Sequence, residues 1–151
     1  MMDIHLDRLL NFPNVTVTSC VHGDEGIRLD LGFIKEGSHC PKCKQFSDDL
    51  HRNRPSLIRD LSIFGKQTYL RVHRRQYYCS TCQSYFTERL SFIDWQRRYT
   101  QRYEAYIYES VQHSTIEQVS REEGLTWDQV HGIFKRQYAL KKTELGVPLL
   151  A

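Results

Sequence analysis

Apolar and polar residues along this chain repeat with two different periods, and the change near residue 100 divides it. Val15-Thr-Val-Thr-Ser-Cys20 and Ile27-Arg-Leu-Asp-Leu-Gly-Phe-Ile34 alternate apolar with polar positions, as in strands whose successive side chains point to opposite faces. His22-Gly-Asp-Glu-Gly26 between them has the composition of a turn, so a β-hairpin is predicted. Residues Gln67 to Tyr78 are rich in β-branched and aromatic types, which predicts a long strand entered through a turn at Gly65-Lys66. Ahead of the hairpin, Ile4, Leu6, Leu9 and Leu10 share most of one helical face, and Asn11-Phe12-Pro13-Asn14 ends that pattern.

From Thr100 onward the period becomes about 3.6 residues, that of an amphipathic helix. Tyr103, Ile107 and Val111, with Tyr106 and Ser110 beside them, form the stripe of a first helix running to about His113. Thr115-Ile-Glu-Gln118 and Thr126-Trp-Asp-Gln129 each have the form of a capping box, in which a hydroxyl accepts from an orphan amide and a glutamine reaches back. Two helix starts this close, with Gly124 between them, imply a tight turn. Ser120 is small where the helices would cross, Gly124 allows a positive φ, and Val119, Leu125, Val130 and Ile133 are spaced to pack the pair, as a helix-turn-helix requires. The second of these helices would then present Trp127, Asp128, Gln129, His131, Lys135 and Arg136 to base edges or phosphates, with Thr126 at its start; Gln129 and Arg136 are the preferred contacts. Gly132 costs this helix about 1 kcal/mol relative to alanine, with no reason visible in the sequence. A helical hairpin that serves only packing or dimerisation is the competing reading.

The cysteines add chemistry to the strand-rich part. Cys40-Pro-Lys-Cys43 and Cys79-Ser-Thr-Cys82 are two knuckles, each presenting two sulfurs, and four thiolates in a tetrahedron bind zinc. A redox role would call for a helix start after a strand, and two disulfides an oxidising compartment; neither setting is present. One structural Zn2+ is therefore expected, and its loss should unfold the ribbon. Cys20 alternates inward and reads as a small buried apolar residue. His39, His51 and His73 read as surface groups or phosphate contacts rather than ligands.

Composition bounds the rest. The chain has 151 residues, 40% of them hydrophobic and 12% aromatic, which is that of a folded protein with room for two small domains. No apolar stretch approaches the roughly 20 residues that cross a bilayer, and the first residues do not have the form of an export signal, so no membrane association and a reducing bacterial cytoplasm are expected. Net charge is only +3, yet residues 51–75 concentrate Arg52, Arg54, Arg59, Lys66, Arg71, Arg74 and Arg75 against Asp60 alone. Such a block is the footprint of a phosphate-contacting surface, with double-stranded DNA as the expected partner; a solvated basic strand is the blander alternative.

The order Cys-Pro-x-Cys, Arg59-Asp-Leu-Ser-Ile-Phe-Gly-Lys66, Tyr69-Leu-Arg-Val-His-Arg-Arg75 and Tyr78-Cys-x-x-Cys-x-x-x-Phe-Thr-Glu88 resembles the amino-terminal zinc-binding and helix-turn-helix regions of bacterial transposases of the ISL3 group. The resemblance runs from the first hairpin to about Lys142. It implies recognition of terminal inverted repeats during DNA transposition, with strand cutting by a following RNase H-like domain whose acidic triad binds metal. That catalytic part is expected to be absent here, since the carboxylates are scattered. The chain is then no enzyme by itself, and it would work as a nucleoid-associated homodimer or with a catalytic transposase subunit. A zinc-stapled interaction or dimerisation module, for which Tyr103, Tyr106 and Tyr108 would supply an exposed face, and a domesticated DNA-binding regulator are the alternatives.

The expected fold is α+β: a helix and β-hairpin over residues 1–36, a small β-rich zinc-ribbon-like domain over 37–90, a linker over 91–99, a three-helix helix-turn-helix domain over 100–143, and a tail over 144–151.

Overall fold

A computed structural model describes residues 4–144 of the chain. It has the α+β composition expected, with strands first and helices after, and divides into two compact units, residues 1–98 and 99–151. The stretch read as a tail lies outside the described residues except for Glu144.

The first unit opens with the helix α1 (Ile4–Leu10), followed by β1 (Val15–His22) and β2 (Ile27–Phe33). These two strands form the expected antiparallel hairpin, with a register shift between Val17 and Ser19. The shift places Cys20 opposite the buried Leu29, yet Cys20, expected to be buried, is exposed, as is every β1 residue after Val17, because the core covers only the first half of this strand. The Asp7 carboxylate ties α1 to this hairpin, accepting from the Val17 amide and the Thr16 hydroxyl, both at 2.7 Å.

Two short strands, β3 (Ser38–His39) and β4 (Phe46–Ser47), pair around the first cysteine knuckle. Then come β5 (Leu50–Ile63) and β6 (Lys66–Cys79), two 14-residue antiparallel strands joined at Phe64-Gly65. β7 (Ser84–Thr87) returns along the end of β6. The sheet order is β1-β2-β6-β5, and β2 runs parallel to β6, Leu29 opposite Leu70. The hairpin and the cysteine-bearing strands thus share one sheet, and the division expected at residue 36 falls inside a single unit.

One face of this sheet supplies the main core: Val15, Val17, Leu29, Leu31, Ile58, Leu70 and Val72, with Leu10, Phe92 and Ile93 closing over them. Residues 91–99, read from the sequence as a linker, therefore include two core residues; Phe92 stacks on Phe12 at 4.1 Å. A second, smaller core of Cys40, Tyr77, Cys79 and Phe86 sits around the knuckles.

The second unit has three helices, α2 (Gln101–Gln112), α3 (Ile116–Glu123) and α4 (Trp127–Glu144). Tyr103, Ile107, Val119, Val130 and Ile133 are its innermost apolar side chains. Among the described residues, no helix is long and apolar enough to cross a membrane.

Candidate metal centre and nucleic-acid interface

Each cysteine knuckle is shaped by its own backbone. In the first, the Lys44 amide donates to the Cys40 carbonyl and the Cys40 amide to the Gln45 carbonyl, both at 2.9 Å. In the second, the Cys82 amide points at the Cys79 sulfur, 3.5 Å away. The residue after the second cysteine is left-handed in both, Lys44 at φ 66° and Gln83 at φ 52°, so the chain turns away once its two sulfurs are presented. Gly37, at φ 97°, lets the first knuckle close; a Cβ there would come within 2.3 Å of the Phe46 ring.

The four sulfurs of Cys40, Cys43, Cys79 and Cys82 lie within 4.8 Å of one another. Cys40 and Cys82 are 3.8 Å apart, and Cys43 and Cys79 3.4 Å. Bonds of about 2.3 Å in a tetrahedron separate thiolate sulfurs by about 3.8 Å, so the quartet fits one zinc ion with little rearrangement. The main-chain amides of Cys43 and Lys42 lower the Cys40 thiol to about 6, whereas Cys43 and burial push Cys82 up to about 12. Main-chain donors thus favour ionisation at one end of the quartet, and metal binding releases the remaining thiol protons. His39 packs edge-on against Phe46, His51 lies over Tyr85 and His73 bonds Asn53; none belongs to the cluster.

The basic block separates into two populations. Arg52, Arg54 and Lys66 are exposed, and Arg71 and Arg74 are half-buried. Arg75, expected on a phosphate, is instead internal. Its guanidinium makes two bonds to Glu88, at 2.9 and 2.8 Å, a third to the Lys35 carbonyl, and lies 3.7 Å from the Phe33 ring centre. Both partners of this pair are only 7% exposed. Arg59 is also buried, 5.6 Å from the centre of the Tyr69 ring. Both guanidinium groups are thus drawn into the sheet unit rather than exposed.

In the helical unit the caps set the geometry. Thr100 accepts from the Tyr103 amide at the start of α2, and Thr115 from the Gln118 amide at the start of α3. The box at Thr126 is reciprocal: the Gln129 amide donates to the Thr126 hydroxyl at 3.1 Å, and the Thr126 amide to the Gln129 side-chain carbonyl at 2.9 Å. At Thr115 it is not, because the Gln118 side chain donates to Glu122 and accepts from Arg121. Gly124 ends α3 in the left-handed conformation, φ 67° and ψ 31°, its amide donating to the Ser120 carbonyl, as the tight turn requires.

Val130, Ile133 and Gln137 face inward on α4. The opposite face carries Asp128, Gly132 and Lys135, all exposed, with Trp127 stacked on His131 at 4.8 Å beside them. Arg136, a preferred contact in the sequence, is drawn back instead: it donates to Glu104 at 2.7 Å, and that carboxylate is fully buried. Gln129 stays exposed but is engaged as a cap. The tyrosines proposed as a dimer face are mostly internal. Tyr103 is fully buried and donates to Glu123, and Tyr108 stacks on Phe134; only Tyr106 is exposed.

Zinc-ribbon cysteines on a sheet unit, followed by a three-helix unit with a short turn before its last helix, define a zinc-finger and helix-turn-helix protein. Comparison with known proteins makes this specific. Residues 36–82 match the family described as the zinc-finger of transposase IS204/IS1001/IS1096/IS1165, and residues 88–138 match the helix-turn-helix domain of transposase family ISL3. The transposase for insertion sequence element IS1001 from Bordetella parapertussis is 29% identical over 96 residues, which cover 64% of this chain and 24% of that protein. The match thus spans about a quarter of the curated relative. No solved structure gives a significant match. Over these two stretches the chain carries zinc-finger and helix-turn-helix segments of the ISL3 transposase type.

Proposed function

We propose that this chain binds double-stranded DNA and recognises the terminal inverted repeats of a mobile element. The observation that carries this reading is the outward face of α4, where Asp128, His131, Gly132 and Lys135 project away from Val130 and Ile133 behind a rigid reciprocal cap. A recognition helix reads the major groove with residues of its first two or three turns, and these positions occupy those turns. Trp127, at the helix start, and Thr126 and Gln129, through the cap, orient that face. Lys135 takes a phosphate, and Arg136 holds α4 to Glu104. The exposed Arg52, Arg54 and Lys66 and the half-buried Arg71 and Arg74 of the sheet unit add phosphate contacts.

Strand cutting and joining would come from a catalytic domain or subunit acting with this one. The test is a binding titration of the zinc-loaded chain on duplexes carrying the element's ends and on scrambled duplexes of the same composition. Specific binding should exceed nonspecific by at least about 10³-fold. Equal affinity for both duplexes would remove end recognition, and no affinity at low salt would remove DNA binding.

A further inference from the structure

A pocket of about 290 Å³ on the sheet unit joins Arg74 to residues that have had no role so far. Its walls include Ser56 on β5, Arg74 on β6, Thr87 on β7, and Trp95, Arg97 and Arg98 from the chain that follows; no lining residue is acidic. Main-chain bonds fix the last wall. The Arg97 amide donates to the Asp94 carbonyl, with Gln96 left-handed at φ 60° between them, and the Arg59 amide of β5 donates to the Arg98 carbonyl. The Arg74 guanidinium donates to the Arg97 carbonyl at 3.0 Å.

The electrostatics of this corner are unfavourable as they stand. Arg54 lies directly opposite Arg74 across the β5–β6 ladder, and like charges in that relation repel. Arg74 is half-buried, and desolvation lowers its pKa. Its partner, the Arg97 carbonyl, lacks the full charge of a carboxylate. Arg89 adds a further cation, 4.8 Å from the Trp95 ring centre. An anion in the pocket would relieve all of this, and hydroxyls at Ser56 and Thr87 supply neutral donors of the kind that accompany arginine at phosphates.

We infer that this pocket grips the sugar-phosphate backbone of duplex DNA, with Arg54, Arg74 and Arg98 on successive phosphates and Trp95 walling the sugar between them. The inference rests on the DNA-binding reading above and gathers the phosphate contacts of Arg54 and Arg74 with Arg98 and Trp95 into one sequence-independent site on the sheet unit. Arg89, Arg97 and Arg98 lie outside the basic block, and they become part of one surface only because residues 91–98 fold back onto the sheet.

The experiment uses the full zinc-loaded chain and fluorescence anisotropy on a labelled duplex over a range of salt concentrations. The Arg54→Gln, Arg98→Gln double variant should lose about 1.8 from the slope of log K against log salt, 0.9 for each phosphate released, and bind at least about tenfold more weakly near 0.1 M salt. Melting temperature should hold or rise slightly as the Arg54–Arg74 repulsion is relieved, and zinc content should not change, whereas a merely structural role for these arginines would lower the melting temperature. The Arg54→Lys, Arg98→Lys variant should keep the slope. If the wild-type chain binds duplex but the glutamine variant keeps its slope and affinity, the pocket is not a phosphate site and the DNA-binding reading survives. If the wild-type chain binds no duplex, both fall.

Discussion

The two units of this chain reach a defined structure by opposite means. The helical unit is specified locally: hydroxyls at Thr100, Thr115 and Thr126 start its helices, Gly124 turns the chain, and a short sequence separation brings α3 against α4. The sheet unit is specified at a distance. Its knuckles lie 36 positions or more apart in the pairs that approach, Cys43 with Cys79 and Cys40 with Cys82, and its parallel pairing of β2 with β6 spans some forty residues. Closing such loops costs entropy before any contact offsets it, and a metal bridging both knuckles supplies that offset at one point. A small domain with a limited core needs such a staple, whereas a capped helical hairpin does not.

The largest effect that should separate the units is removal of zinc. Chelation, or Cys79→Ser, should remove on the order of 10 kcal/mol from the knuckle region, and amide exchange should then show residues 36–54 and 76–88 unprotected while α2, α3 and α4 stay protected. Equal loss of protection in the helices would contradict the separation.

Next in size is the internal ion pair. Glu88→Ala leaves the Arg75 guanidinium buried without its carboxylate and should cost about 3–5 kcal/mol in urea unfolding of the sheet unit. A loss of DNA affinity without a loss of stability would instead return Arg75 to the binding surface. In the helical unit the matching changes are smaller: Thr115→Ala should cost about 1 kcal/mol as a lost cap, read by thermal melting.

Gly132→Ala should have the opposite sign. Nothing lies within 4 Å of the added methyl group, so α4 should gain about 1 kcal/mol, measured in the same melts. If this face meets DNA closely, the stabilised variant should bind duplex more weakly than the parent. Unchanged or tighter binding would place the glycine away from the contact.

The same contrast explains what was legible in the sequence. Capping hydroxyls, the turn glycine and the paired cysteines each announce themselves within a few residues, and all of them sit where the pattern placed them. The length of β5 and the parallel β2–β6 pairing have no local signature. Cys20 is exposed because the core stops at Val17 along β1, and an alternation does not say how far along a strand its cover extends. Charge misled most: Arg59 and Arg75 are buried, and Arg136 reaches inward to the buried Glu104, because opposite charges brought together by the fold, as Arg75 and Glu88 are, can satisfy each other inside. No sequence period marks such a pair. The arginine pocket was missed for a related reason, since Phe92 and Ile93 carry residues read as a linker into the core.

The most direct test of a chain that holds DNA with both units is duplex binding by the intact protein, titrated with and without a zinc chelator across a salt series. Chelation should leave a residual affinity from the helical unit while cutting the salt slope by about 1.8 or more, the share of at least two phosphates held by the sheet unit. A slope and affinity unchanged by loss of the metal would contradict that division of labour.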